Sequence, residues 1–178
     1  MNKSNIALAK KTLTLLEKKA WKNISLSNIL NDKKESNLKN KIQILENINR
    51  YFDFLLKENL SNLENSSKKD MLFEIFMARL DILNIHRTSI KKLINHFFYN
   101  PQDFIRLLPS FIETIILICT LSNIELNGIK AAPKIKLIFI LYLLIIYTWY
   151  KDETVSLDKS MTALDKYLNN INKFIKLD

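Results

Sequence analysis

A single glycine, Gly128, constrains this chain more than any other feature. Phosphate-binding loops, dinucleotide-binding turns and nucleophile elbows need glycine where the backbone meets phosphate or reverses sharply. None of them can be built from one glycine. Tight hairpins also lean on glycine and proline, and the 178 residues hold only 3 prolines. The chain is therefore expected to be helical, and its periodicity agrees. Ile6, Ala9, Leu13, Leu16 and Ala20 recur at helical spacing and predict a first helix over 5–20. Ser25 is placed to cap a short helix over 26–30. A long helix over 37–59, striped by Ile42, Leu45, Ile48, Phe52, Leu55 and Leu56, is expected to break or bend once. Residues 60–69 read as a connection. A helix through Leu72, Ile75, Phe76, Leu80 and Leu83 then continues over 85–98. Pro101 and Pro133 suit helix starts. Pro109 should bend or split its helix near Leu108, and Asn127-Gly128 should end the element before it. The last helix begins at Ser156 or Asp158, with Met161, Leu164, Leu168, Ile171 and Ile175 on one stripe. Eight or nine helices and no strand are expected.

The length suits one domain able to bury about 70% of its unfolded surface. A chain that is 48% apolar and 25% charged is globular rather than disordered. The lone Cys119 excludes an internal disulfide and a cysteine-clustered zinc site. Within the apolar run 115–121 it reads as a small core hydrophobe, and this usage fits a reducing cytoplasm. Residues 137–150 form the strongest apolar run, bounded by Lys136 and Lys151. They fall short of the roughly 20 residues a bilayer demands, so a buried core helix is expected. Lys10 and Lys11 interrupt the start before any signal-peptide core develops. The net charge of +9 is skewed: residues 1–69 hold 14 Lys/Arg against 7 Asp/Glu, and residues 70–178 hold 13 against 11. A basic amino-terminal third can face nucleic acid or an anionic membrane. Codon drift in a Lys-, Asn- and Ile-rich chain yields the same excess.

Chemistry has few places to reside. His86 and His96 stand ten residues apart and lack the i,i+4 spacing of a helical metal pair. Glu113, in an apolar helix, resembles a tuned acid, yet no partner base or nucleophile accompanies it. Asp152-Glu153 reads as solvated chain between two helices. No triad, metal cluster or phosphate loop is offered, so neither an enzyme, nor a cofactor, nor a metal site is expected.

Several patterns carry two resemblances. Trp21-Lys-Asn-Ile24-Ser25-Leu26-Ser-Asn-Ile29 resembles the early helix-turn-helix of TetR-type regulators, and Asn40-Lys41-Ile42-Gln-Ile44-Leu45 resembles the start of that family's fourth helix. The stretch between them is about six residues too short for a normal recognition helix, or more than one helical turn. It also lacks the family's turn glycine and its aromatic. Lys33, Lys34, Lys39 and Lys41 can still reach phosphates, which position a protein without specifying sequence. The run Phe76-Met77-Ala78-Arg79-Leu80-Asp81-Ile82-Leu83-Asn84-Ile85-His86-Arg87 is similar to one in the lipid-binding accessory proteins of ubiquinone biosynthesis, alphaproteobacterial-type members included, a run with an Arg-hydrophobic-Asp, then a helix break, then a further Arg. The helix around Tyr142, Trp149 and Asp152 looks similar too. So does Ser160-Met161-Thr162-Ala163-Leu164-Asp165, the most specific match.

The resemblance implies an all-α, TetR-like helical bundle with a shortened helix-turn-helix region at 1–59 and a lipid-binding and dimerisation domain at 60–178. It implies a homodimer that binds an isoprenoid lipid or quinone precursor and presents it to a ubiquinone-biosynthesis hydroxylase. The amphipathic terminal helix of the mitochondrial members is not expected after Asp178. Helices 111–121 and 137–149, apolar nearly all round, would supply the pocket walls through Phe111, Ile115, Leu117, Ile118, Leu121, Leu141, Ile145 and Trp149. The same residues would equally fill a solid core or a dimer interface. A cytoplasmic protein with peripheral contact at the inner membrane surface follows, and nucleic acid is not an expected partner. The alternatives are a TetR-like DNA-binding regulator and a ligand-free dimeric scaffold.

Overall fold

The computed structural model describes residues 1–30, 38–60 and 66–175. Among them the chain is all-helical: α1 (Lys3–Lys18), α2 (Leu26–Ile29), α3 (Lys41–Asn59), α4 (Lys68–Ile85), α5 (Arg87–Tyr99), α6 (Pro101–Leu121), α7 (Ala131–Lys151) and α8 (Asp158–Ile175). Short 3-10 turns stand at Trp21–Asn23 and Gly128–Lys130. Lys33, Lys34, the polar break at 31–34 and residues 61–65 of the expected connection lie outside the described residues.

The starts are built by capping. Asn2 accepts from the Asn5 N–H at 2.8 Å to open α1. Ser25 and Asn28 form a reciprocal capping box on α2, as the placement of Ser25 suggests. At α3 Asn40 Oδ1 accepts from the Gln43 N–H, and Gln43 Oε1 accepts from the Lys39 N–H, one residue before the cap. Each such cap contributes about 1 kcal/mol.

Four expectations need correction. α3 runs unbroken over Lys41–Asn59. Pro109 lies inside α6 without splitting it. The helix tolerates it because Pro109 and Ile105, whose carbonyl loses its partner, both face outward where water can replace the bond. Residue 128 does not end α6 either. Asn123 does, in the left-handed conformation at φ 54°, with Ile124 N–H reaching back to Cys119 O at 2.9 Å. Gly128, at φ 64°, instead opens the 3-10 turn before α7. Finally, His86 separates α4 from α5: the periodicity alone predicts that the helix continues through 85, whereas the break lies where the resemblance of 76–87 implies one.

The chain divides into two compact units, neither of them one stretch of sequence. Unit 1 comprises Met1–Leu55 and Ile82–Phe111; unit 2 comprises Leu56–Asp81 and Ile112–Asp178. The boundaries fall within α3, α4 and α6.

In unit 1, α1 packs against α5. Small, buried Ser89 permits the approach and donates to Leu13 O at 2.7 Å. Lys92 Nζ reaches Glu17 O and Lys11 Nζ reaches Ile29 O, so two helix ends receive cations. Buried Asn49 donates to both the carbonyl and the hydroxyl of Ser110. In unit 2, α7 lies along α8. Leu141, Ile145 and Trp149 on the first and Leu164, Leu168 and Ile171 on the second are buried, each leucine contributing about 2 kcal/mol. Met161, expected on that stripe, is exposed.

Candidate functional site

The eight residues expected to line a pocket fall into both units. Phe111 belongs to unit 1, where its ring lies 5.5 Å from that of Phe104. The other seven belong to unit 2. Ile115, Ile118, Leu141, Ile145 and Trp149 are fully buried there, and Leu117 and Leu121 are half-buried. The two clefts described below are lined by other residues.

The helices that carry them are less covered than their composition suggests. Only a third of the most apolar 18-residue stretch of α6 is buried, and α6 is long and apolar enough to cross a membrane by length and composition. On α7, Ile140, Leu144 and Tyr147 follow one another at helical spacing and are exposed, as is Ile116 on α6. The helix buried on several sides is α4, through Met71, Leu72, Ile75, Phe76, Leu80, Ile82 and Leu83.

The α7–α8 corner holds a polar centre that sequence reasoning misjudged. Asp152 is not solvated; it is fully buried. Its Oδ1 accepts from the Thr154 N–H at 3.0 Å and the Thr154 hydroxyl at 2.6 Å. Its Oδ2 accepts from the Ser160 N–H at 2.7 Å and the Ser160 hydroxyl at 2.8 Å. Ser160 stands in the first turn of α8, so the carboxylate caps that helix from a distance. Burial alone would raise the Asp152 pKa; the bonds from Thr154 and Ser160 outweigh it and bring it to about 2. Thr154 Oγ1 accepts in turn from the Asp158 N–H. Leu157, between them, takes the left-handed φ of 57° that the tight corner demands. The only prior signal was the pair of motifs around Asp152 and Ser160. Arg79, in the other quoted motif, is also buried within unit 2.

Unit 1 carries two clefts that share Trp21 and His96. One, of about 720 Å³, is lined by Lys41, Glu46, Asp103 and Arg106 among others. The second, of about 470 Å³, is lined by Lys22, Lys92, Tyr99 and Asn100 among others. Lys41 Nζ sits 4.5 Å over the Trp21 ring and donates to Trp21 O at 2.8 Å. Burial pushes the Lys41 pKa down, and Asp103 opposes that. His96 Nε2 and Asp103 Oδ2 are 2.9 Å apart, and Asn100 Nδ2 lies 3.2 Å from His96 Nδ1. With both ring nitrogens engaged, His96 joins the end of α5 to the start of α6. His86 stacks 5.9 Å from Phe52; burial lowers its pKa, Glu17 opposes and Lys10 adds.

In unit 2, Cys119 is fully buried in the core, and burial pushes its thiol up to about 11, against a weaker pull from Lys134. The thiolate needed for nucleophilic chemistry is therefore disfavoured. Glu113 is exposed. Among the described residues no group of three His, Cys, Asp or Glu side chains is placed to hold a metal ion.

Charge separates with the units. Unit 1 contains 15 Lys/Arg against 6 Asp/Glu, and unit 2 contains 12 against 12, so the whole +9 belongs to unit 1. The four charged residues within 31–37 cancel one another. No protein-family model and no curated protein matches the chain.

Proposed function

We propose that the chain is a non-catalytic, homodimeric lipid-binding accessory protein of TetR-like fold, presenting isoprenoid quinone intermediates to a ubiquinone-biosynthesis hydroxylase. The observation that carries this reading is the apolar surface of α6 and α7 left uncovered by the chain itself. Ile140, Leu144 and Tyr147 stand exposed along one side of α7, and such a run of apolar side chains calls for an apolar occupant. Ile116, Ile140, Leu144 and Tyr147 offer hydrocarbon and one phenol, which suits an isoprenoid chain better than a polar metabolite. The motifs at 76–87 and 160–165, similar to those of the accessory proteins, support the same reading.

The test is organic extraction of natively purified protein followed by lipid mass spectrometry. An isoprenoid or quinone-like species in stoichiometric amount is the expected result. Empty protein, prepared beside a lipid-loaded control, overturns the reading.

A further inference from the structure

We infer that the α5–α6 corner of unit 1 is a docking surface for an anionic phospholipid bilayer. Three apolar side chains protrude within eight residues: Phe98 is 60% exposed, Tyr99 86% and Ile105 60%. They are not on a loose loop. Asn100 N–H bonds to His96 O at 2.8 Å, Asp103 N–H bonds to Asn100 O at 3.1 Å, and His96 bridges to Asp103. Behind the corner the rings of Phe97 and Phe104 meet edge to face at 6.0 Å. The protruding groups are thus held out by a well-bonded frame.

Cations flank them. Lys22 and Lys92 line one cleft with Tyr99, and Lys41 and Arg106 line the other with His96 and Asp103. Unit 1 as a whole carries +9 while unit 2 is neutral. An occupant must offer hydrocarbon to Phe98, Tyr99 and Ile105 and negative charge to the surrounding lysines and arginine. An anionic membrane interface offers both within a few ångströms of depth. A single-stranded nucleic acid would stack on Phe98 and Tyr99 and neutralise the cations, but Ile105 has no π face to offer a base. The surface belongs to unit 1 and the residues proposed to meet an isoprenoid to unit 2, and the inference does not rest on that proposal.

Flotation of the full chain with vesicles of mixed phosphatidylglycerol and phosphatidylcholine, containing no isoprenoid, tests it. Binding is expected to be at least about tenfold stronger than to pure phosphatidylcholine. Phe98→Ser with Tyr99→Ser should weaken it by about tenfold or more, and Lys22→Gln with Arg106→Gln by about tenfold. Ile129→Ser with Val155→Ser, on exposed positions of unit 2, should leave it unchanged, and circular dichroism should show all variants folded. The inference is overturned by absence of vesicle binding. It is equally overturned if the Phe98/Tyr99 variant binds as the parent does, which would indicate bulk charge attraction alone. A single-stranded oligonucleotide that displaces the protein from vesicles and binds it more tightly at the same salt also overturns it.

Discussion

Two helix corners, one in each unit, are each held by an aspartate, and they do it differently. At the α7–α8 corner Asp152 is fully buried and receives four hydrogen bonds from Thr154 and Ser160. At the α5–α6 corner Asp103 is partly open to solvent and faces His96 at 2.9 Å and Arg106 at 3.7 Å. The first arrangement satisfies a fully buried carboxylate with backbone and hydroxyl dipoles. The second leaves each partner within reach of solvent, so its loss can be made good. Burial, rather than the formal charge of the partners, should decide which clasp matters more to stability.

The largest effect is expected at the buried corner. Asp152→Ala strips the acceptor from two backbone N–H groups and two hydroxyls, at a cost of about 3 kcal/mol in urea unfolding. A loss under about 1 kcal/mol would mean that water reaches the corner and that the contrast fails. The pH dependence has a definite sign. Because the folded pKa of Asp152 is depressed to about 2, its contribution is complete above the ordinary carboxylate range and disappears as pH falls through about 2. The parent should lose stability between about pH 4 and pH 2, and Asp152→Asn should flatten that part of the profile. His96→Ala at the open corner should cost about 1 kcal/mol, since water can replace much of what Asp103 loses. Smallest of all, Arg106→Ala should stay within about 0.5 kcal/mol, as an exposed and long ion pair allows. A reversed ranking of these three would show that charged partners outweigh burial here.

Much of the helix order is legible in local signals. Ser25 and Pro101 mark real helix starts, and the stripe Leu164, Leu168, Ile171 is buried as its spacing requires. What local reading misses is what depends on distant or solvent-facing atoms. Pro109 reads as a breaker, but its effect turns on whether the orphaned carbonyl meets water, and the exposed face of α6 allows that. Asn123 ends α6 although Gly128 is the obvious left-handed residue, because asparagine also tolerates positive φ. Asp152 looks solvated beside Lys151 and Glu153, and only the approach of Ser160 eight residues later encloses it. Of the candidate site only the helices are legible: the eight residues named on α6 and α7 are buried or half-buried, and none of the exposed Ile116, Ile140, Leu144 and Tyr147 is among them. Composition could not separate faces buried inside the chain from faces left open. Helices apolar all round by sequence include α7, with Ile140, Leu144 and Tyr147 exposed, while α4 is the one enclosed.

The interleaving of the two units has a consequence in time. A chain emerging from the ribosome completes unit 1 once Phe111 has appeared, so the basic half can close early. Unit 2 starts at Leu56 but cannot finish until α8 follows. Through that interval Leu72, Ile75, Phe76 and Leu80 on α4 wait for partners such as Tyr142 that do not yet exist. The nascent chain therefore passes through a stage with one folded half and one sticky, half-made one. During that stage a holding chaperone, or slowed translation of residues 112–175, would do most to keep it from aggregating.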